Sequence, residues 1–210
     1  GRPFKWITEV YYKDLENLIP YKVENVRIQY LANDLSNGYA TGIDIKVNGE
    51  FVPVVESWAS LSVMKTAEDI VGDTKIDANG NTVEAGYIAR PTDQRVNFSM
   101  FFQDYIPGKP KYKMHLNLIY GTGLPFGPPN GEKYQDVLRI PDYRRVDIGF
   151  SAVIKVEDKK GKFKFLNKLN SMWISAEIFN LLDIDNTVSY LWVADVSGRQ
   201  YAVPNYLTSR

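Results

Sequence analysis

Apolar and polar side chains alternate along seven stretches of this chain, each about ten residues long. In the segment 95–103, Val96, Phe98, Met100 and Phe102 share one face of an extended chain, and polar residues occupy the other face. A period of two is typical of β-strands, because successive side chains point to opposite faces. The pattern predicts strands at 5–14, 38–47, 58–66, 94–105, 112–120, 143–154 and 171–181.

The lengths of these strands and of the links between them indicate a sheet that spans a membrane. A transmembrane β-barrel needs strands of roughly 9–11 residues, with one face toward lipid and the other toward water. The links measure roughly 23, 10, 27, 6, 22 and 16 residues, which suits long external loops alternating with short periplasmic turns. Only the link at 155–170 is longer than that rule expects. We predict an all-β, antiparallel, up-and-down transmembrane β-barrel segment of about seven or eight strands.

Composition permits this prediction and removes several others. The chain carries 25 basic and 25 acidic residues, so no net charge favours nucleic acid as a partner. It has no cysteine, which excludes disulfides and thiolate metal sites, and nothing in it predicts a cofactor. No apolar run approaches the ~18 residues of a membrane helix.

Five ionisable side chains fall on the polar face of the predicted strands, where they would line a water-filled lumen: Arg95, His115, Arg145, Asp147 and Glu177. Asp147 and Glu177 lie on adjacent strands, and a carboxylate pair is also the machinery of glycoside hydrolysis. A solvated lumen lined with paired charges explains the same residues, so we expect no enzyme activity. His115 is the only histidine, and one histidine without cysteine does not predict a metal site.

The long connections offer candidate ligand contacts. Segments 15–37, 67–92, 121–142 and 182–204 are predicted to be loops on one side of the sheet. Their aromatic residues could stack on a sugar or on an aromatic chelator, or could simply pack loop against loop: Phe126, Tyr134, Tyr190, Trp192 and Tyr201.

Other aromatic residues stand near the ends of the predicted strands. This position suits the aromatic girdles at the two lipid boundaries of a barrel: Trp58, Tyr105, Tyr112, Tyr120 and Trp173. Trp173 shares its strand face with Glu177, so it could equally point inward.

Seven short sequence words cover nearly the whole chain in a fixed order: Trp6–Tyr12, Gly38–Asp44, Glu56–Ser62, Arg90–Asn97, Tyr120–Pro125, Tyr143–Gly149 and Ala176–Asp183. This ordered set resembles the carboxy-terminal barrel of TonB-dependent outer-membrane receptors of the Bacteroidota. The resemblance implies a parent barrel of about 22 strands with an amino-terminal plug in its lumen. Residues 1–210 would then form the last third of the barrel wall, without the plug and with the closing strand incomplete.

The resemblance also implies a function and a set of partners. The parent would take up a scarce nutrient, such as an iron chelator or an oligosaccharide, across the outer membrane with energy relayed by TonB. Its partners would be outer-membrane lipid, the remainder of the barrel, the plug, TonB and the ligand. The alternative from a different class is a soluble all-β carbohydrate-binding module, whose apolar faces would be buried against each other.

Overall fold

A computed structural model describes residues 4–24, 27–127, 138–155 and 168–207. The described residues contain β-strands and no α-helix, and none of them forms a helix able to cross a membrane. The strands are β1 (Phe4–Leu18), β2 (Tyr21–Glu24), β3 (Arg27–Tyr30), β4 (Ser36–Val52), β5 (Val55–Ile70), β6 (Thr74–Ile76), β7 (Thr82–Glu84), β8 (Ile88–Ala89), β9 (Val96–Ile106), β10 (Lys109–Gly121), β11 (Pro125–Phe126), β12 (Leu138–Arg139), β13 (Tyr143–Lys155), β14 (Met172–Ile178), β15 (Asn186–Ala194) and β16 (Gln200–Leu207).

Seven long strands form one antiparallel sheet in the order β1-β4-β5-β9-β10-β13-β14, with β8 added beside β5. Each long strand pairs with the next long strand along the chain, which makes the sheet an up-and-down meander. These seven strands are the seven that the alternation predicts, so the all-β antiparallel expectation is confirmed. The path is open, and no closed barrel is found among the described residues.

At one end of the strands, two hairpin turns contain only two residues each. Pro53 and Val54 link β4 to β5, and Pro107 and Gly108 link β9 to β10. Proline followed by a residue with positive φ is the signature of a type II turn. Gly108 has φ 72° and Val54 has φ 67°, a conformation that strains a β-branched side chain. We call the end of the sheet that carries these two turns the short-turn end, and the opposite end of the strands the long-connection end.

The register divides the meander into an apolar face and a polar face. Ala59, Met100, Leu118 and Val146 stand directly opposite one another across four strands. The same face also carries Trp6, Thr8, Val10, Ile43, Ile45, Val47, Leu61, Val63, Val96, Phe98, Phe102, Met114, Leu116, Ile148, Phe150, Ile174 and Ile178. The intervening residues, which include all five predicted lumen-lining side chains, lie on the polar face.

The long connections contain more structure than the predicted loops. Four small hairpins or two-stranded sheets occur there, namely β2–β3, β6–β7, β11–β12 and β15–β16. The expectation of plain loops at 15–37, 67–92, 121–142 and 182–204 was therefore wrong in detail. Strands of two to four residues are too short to show a period, and β15 carries apolar residues on both faces, so neither kind gives a signal.

Burial is concentrated at the long-connection end and is mostly polar. Buried hydrophobic side chains among the described residues are Val55, Ala67 and Ile70. Buried polar side chains are more numerous and include Ser36, Thr66, Glu68, Asp93, Asp147, Asn186 and Ser189. The described residues thus hold almost no apolar core of their own, and the sheet is a single layer.

Candidate functional site

Asp147 on β13 is the centre of a hydrogen-bond cluster on the polar face. Its side chain is 1% exposed, and Oδ1 accepts hydrogen bonds from Arg145 Nε at 2.7 Å and from the backbone N–H of Asn180 at 2.8 Å. Its other oxygen accepts from Asn117 Nδ2 on β10 at 3.2 Å. The Arg145 guanidinium also lies 5.0 Å from the centre of the Phe179 ring. The carboxylate therefore joins β10 and β13 to the first residues after β14.

The segment that follows β14 is fixed by two asparagines. Asn180, at φ 51°, accepts from the backbone N–H of Ile184 and donates to the carbonyl of the same residue. Asn186 pairs in the same way with the backbone of Arg144, at 2.8 and 2.9 Å. An amide side chain can satisfy one donor and one acceptor at once, so each asparagine replaces a strand partner. These bonds hold the base of the β15–β16 hairpin against β13.

His115 reaches Glu177 across an intervening strand. His115 on β10, Gly149 on β13 and Glu177 on β14 stand in one row, and Nε2 of His115 lies 3.1 Å from Oε1 of Glu177. A Cβ on Gly149 would overlap the His115 ring, so any larger residue at position 149 would have to displace the ring from this contact. The ring also packs against Phe101 on β9 at 5.5 Å. One side chain thus contacts residues of three neighbouring strands.

Asp93 forms a second buried cluster at the long-connection end. It is fully buried, accepts from the backbone N–H of Thr66 at 2.8 Å and from Arg95 Nε at 2.7 Å, and pairs closely with Arg139. Arg139 also donates to the carbonyl oxygens of Asp93 and Gly123, at 2.7 and 3.0 Å. This cluster binds the connection before β9 to the connection before β13.

Three of the predicted ligand-contacting residues come together above the sheet. Phe126 and Tyr190 stack with ring centres 4.5 Å apart and planes 7° apart, and Trp192 lies 6.1 Å from Phe126. Val23, Pro91 and Ile140 help to line the cleft, which encloses about 70 Å³. This is far below the roughly 300 Å³ of sites that engulf a ligand, so a ligand would have to lie across the mouth.

Of the other two predicted contacts, Tyr201 does not line this cleft. Tyr201 is 53% exposed, and its hydroxyl contacts Asp195 at the tip of the β15–β16 hairpin. Tyr134 lies outside the described residues. The stacking of Phe126 on Tyr190 is itself a loop-to-loop contact, the alternative that the sequence leaves open.

The rims of the apolar face carry aromatic residues that differ in part from the predicted girdle. Tyr112 and Tyr120 are on the apolar face, as expected, but Trp58, Tyr105 and Trp173 are on the polar face. The girdle prediction was wrong for Trp58 and Tyr105, because nearness to a strand end does not fix the face, whereas Trp173 follows the inward alternative that the sequence leaves open. Aromatic side chains that the prediction missed stand on the apolar face instead: Tyr12, Tyr39 and Phe4.

The β6–β7 and β15–β16 hairpins end in turns of the same kind. Asp77 accepts hydrogen bonds from the backbone N–H groups of Asn79 and Asn81, each at 2.8 Å, and Asp195 accepts in the same way from Ser197 at 2.8 Å. The bond from Asn81 holds the pKa of Asp77 below its usual value. The Ser197 hydroxyl acts likewise on the pKa of Asp195. Both carboxylates stabilise turns by local bonding.

The site chemistry is that of a charged, hydrogen-bonded surface. No group of three or more histidine, cysteine, aspartate or glutamate side chains that could hold a metal ion occurs in the described ranges. The Asp147 carboxylate is 1% exposed, and both of its oxygens accept hydrogen bonds. Sequence reasoning missed Asp93, Asn180 and Gly149, although all three stand within the sequence words noted above.

Comparison of the chain with protein-family models, with curated proteins and with solved structures finds no match.

Proposed function

We propose that this chain is part of the β-barrel wall of an outer-membrane receptor that takes up a scarce nutrient with energy relayed by TonB. The observation that carries the proposal is an apolar face that runs in register across seven strands and is covered by none of the described residues. In a soluble module the same face would be buried against a second layer of protein.

The exposure of individual side chains measures how open this face is. Trp6 is 69% exposed, Val10 73% and Ile174 59%, and all three point away from the charged side of the sheet. At roughly 25 cal/mol per Å² of apolar surface, leaving so many large side chains in water would be costly. Hydrocarbon removes this cost without a second protein layer.

The uncharged part of the apolar face runs obliquely to the strands. On β5, the first charged residue of this face toward the long-connection end is Lys65, six residues from Ala59. On β13, the first charged residue in the same direction is Arg144, only two residues from Val146. The border thus shifts by four residues, about 14 Å along the strand, while crossing three strand spacings of about 4.8 Å each. The strands therefore tilt by about 45° from the normal of the band, near the 35–45° tilt of membrane barrels.

The opposite border shifts in the same direction. Asp104 on β9 lies four residues beyond Met100, whereas the apolar face of β13 stays uncharged through Ile154, eight residues beyond Val146. Two roughly parallel borders enclose a band, as a bilayer would require. Tyr12, which stacks on Tyr39 at 6.2 Å, lies at the long-connection border, where an amphipathic ring suits the lipid interface.

The polar face suits a water-filled lumen. Its ionisable side chains are paired, His115 with Glu177 across strands and Arg145 with Asp147 within β13. In the proposed receptor this face surrounds the plug, and the long connections face the outside of the cell. The architecture does not define which nutrient is taken up, because it would accept both an iron chelator and an oligosaccharide.

A matched pair of substitutions tests the membrane assignment in cells. Phe98 on the apolar face and Asn97 on the polar face are adjacent in β9. An arginine at mid-depth on the lipid face costs about 2–4 kcal/mol, whereas the same charge in the lumen costs little. In the full-length receptor, Phe98→Arg should deplete the protein from outer-membrane fractions and Asn97→Arg should not. Equal recovery of both variants in the soluble fraction would overturn the assignment.

The receptor assignment has a separate test. The reading frame that contains this chain should encode a plug domain preceded by a signal peptide on its amino-terminal side. A complete protein that lacks any such domain would contradict TonB-dependent uptake while leaving the membrane sheet intact.

A further inference from the structure

One exposed turn has a sequence and geometry in which an asparagine side chain could react with the backbone nitrogen of the next residue. Asn79 is followed by Gly80 at the tip of the β6–β7 hairpin, and both residues are exposed. Gly80 has φ 84°, and a Cβ added to it would meet no atom within 4 Å. Residues from elsewhere in the chain therefore do not crowd the Cα of Gly80.

The same dipeptide occurs at two places inside the sheet, where its surroundings are different. Asn37-Gly38 and Asn48-Gly49 lie in β4, which is paired on both sides. Gly38 is buried, and its Cβ position lies 2.5 Å from the carbonyl oxygen of Ala67. The amide of Asn48 donates to Glu56 at 3.1 Å. Both sites are held by the sheet ladder, whereas the turn at Asn79 is held by local bonds.

We infer that Asn79 is a site of spontaneous deamidation and that the two Asn-Gly dipeptides within β4 are protected by the sheet. The Gly80 backbone nitrogen attacks Cγ of Asn79, so that a new C–N bond closes a five-membered succinimide. The side-chain nitrogen departs as ammonia and takes the proton lost by Gly80. Water then adds to either ring carbonyl and breaks one C–N bond, which leaves aspartate or isoaspartate at position 79.

One hydrogen bond must open for the attack to occur. The Gly80 N–H donates to the carbonyl of Asp77 at 3.0 Å, and this bond is exposed to solvent at the tip of a hairpin with three-residue strands. Local opening at such a place costs far less than opening of a central strand. The chemistry is independent of the proposed function, since it requires only the turn and the sheet.

The test compares three sites within one folded chain. The full-length protein, folded in detergent, is incubated in mildly alkaline buffer, and deamidation at each of these three asparagines is followed by peptide mass spectrometry. A urea-unfolded sample gives the intrinsic rate of each site. In the folded chain, Asn79 should react at least about tenfold faster than Asn37 or Asn48, and the three should converge in urea. Asn79→Gln should abolish the reaction in its peptide and leave the other two sites unchanged.

Two results would overturn the inference. One is deamidation of Asn37 or Asn48 in the folded chain as fast as that of Asn79. The other is an Asn79 that stays intact when folded but reacts when unfolded, which would show that the turn protects it.

Discussion

Removal of the Asp147 carboxylate tests whether this residue holds the sheet together or merely lines a surface. Asp147→Ala leaves Arg145, Asn117 and the N–H of Asn180 without their shared acceptor. Breaking a buried charge pair costs about 3–5 kcal/mol. The Arg145 side chain is 25% exposed and regains some solvation, so we expect the lower part of that range, about 3 kcal/mol.

A second pair on the same face supplies the matched control. Glu177 is 37% exposed and contacts His115, whose side chain is 21% exposed. Solvent weakens such a pair, so Glu177→Gln should cost about 0–1 kcal/mol. Asp147→Asn keeps one acceptor oxygen and should fall between the two variants.

Urea titration of the chain folded in detergent micelles, followed by tryptophan fluorescence, measures these free energies of unfolding. The slope of the free energy with urea should be the same in all variants, because the surface exposed on unfolding does not change. An Asp147→Ala variant within about 0.5 kcal/mol of Glu177→Gln would refute the reasoning that burial gives Asp147 its structural weight.

Three further outcomes follow from single positions. Val54→Gly should raise the free energy of unfolding by about 0.5–1 kcal/mol, read from the urea midpoint, because relief of the left-handed strain exceeds the entropy that glycine adds. Gly149→Ala should cost about 1–3 kcal/mol by displacing the His115 ring, and His115→Ala in the same chain should recover most of that loss in the same titration. The pKa of Asp77 is lowered on folding, chiefly by the N–H of Asn81, so its contribution is present above the unfolded pKa of about 3.9 and is lost as pH falls through the lower folded value. The amide NMR signal of Asn81 should therefore stay constant down to about pH 4 and shift only below it.

The strands could be predicted from the sequence because a sheet with one apolar and one polar face makes apolar and polar residues alternate along each strand. The segment around Phe98 and Met100 alternates without interruption, and its strand was placed to within two residues. The ends of the strands were harder to predict from the sequence. β1 continues past the predicted end to Leu18 through an irregularity in which Asn17 adopts φ 54°.

The site was only partly visible for a different reason. Alternation assigns Asp147 to the polar face, but its burial depends on Asn180, which follows a different strand. The role of Gly149 depends on a histidine one strand away. Contacts of this kind are set by register between strands, and register is not written in the period of any one strand.

If hydrocarbon covers the apolar face, adjacent residues of β9 report it most directly. The chain has no cysteine, so Met100→Cys and Ser99→Cys each introduce one labelling site, on the apolar and the polar face respectively. In vesicles, a fluorophore at position 100 should be quenched by nitroxide-bearing lipids and one at position 99 by a water-soluble quencher. A label at position 100 that is shielded from both, or that is quenched only from water, would contradict the account.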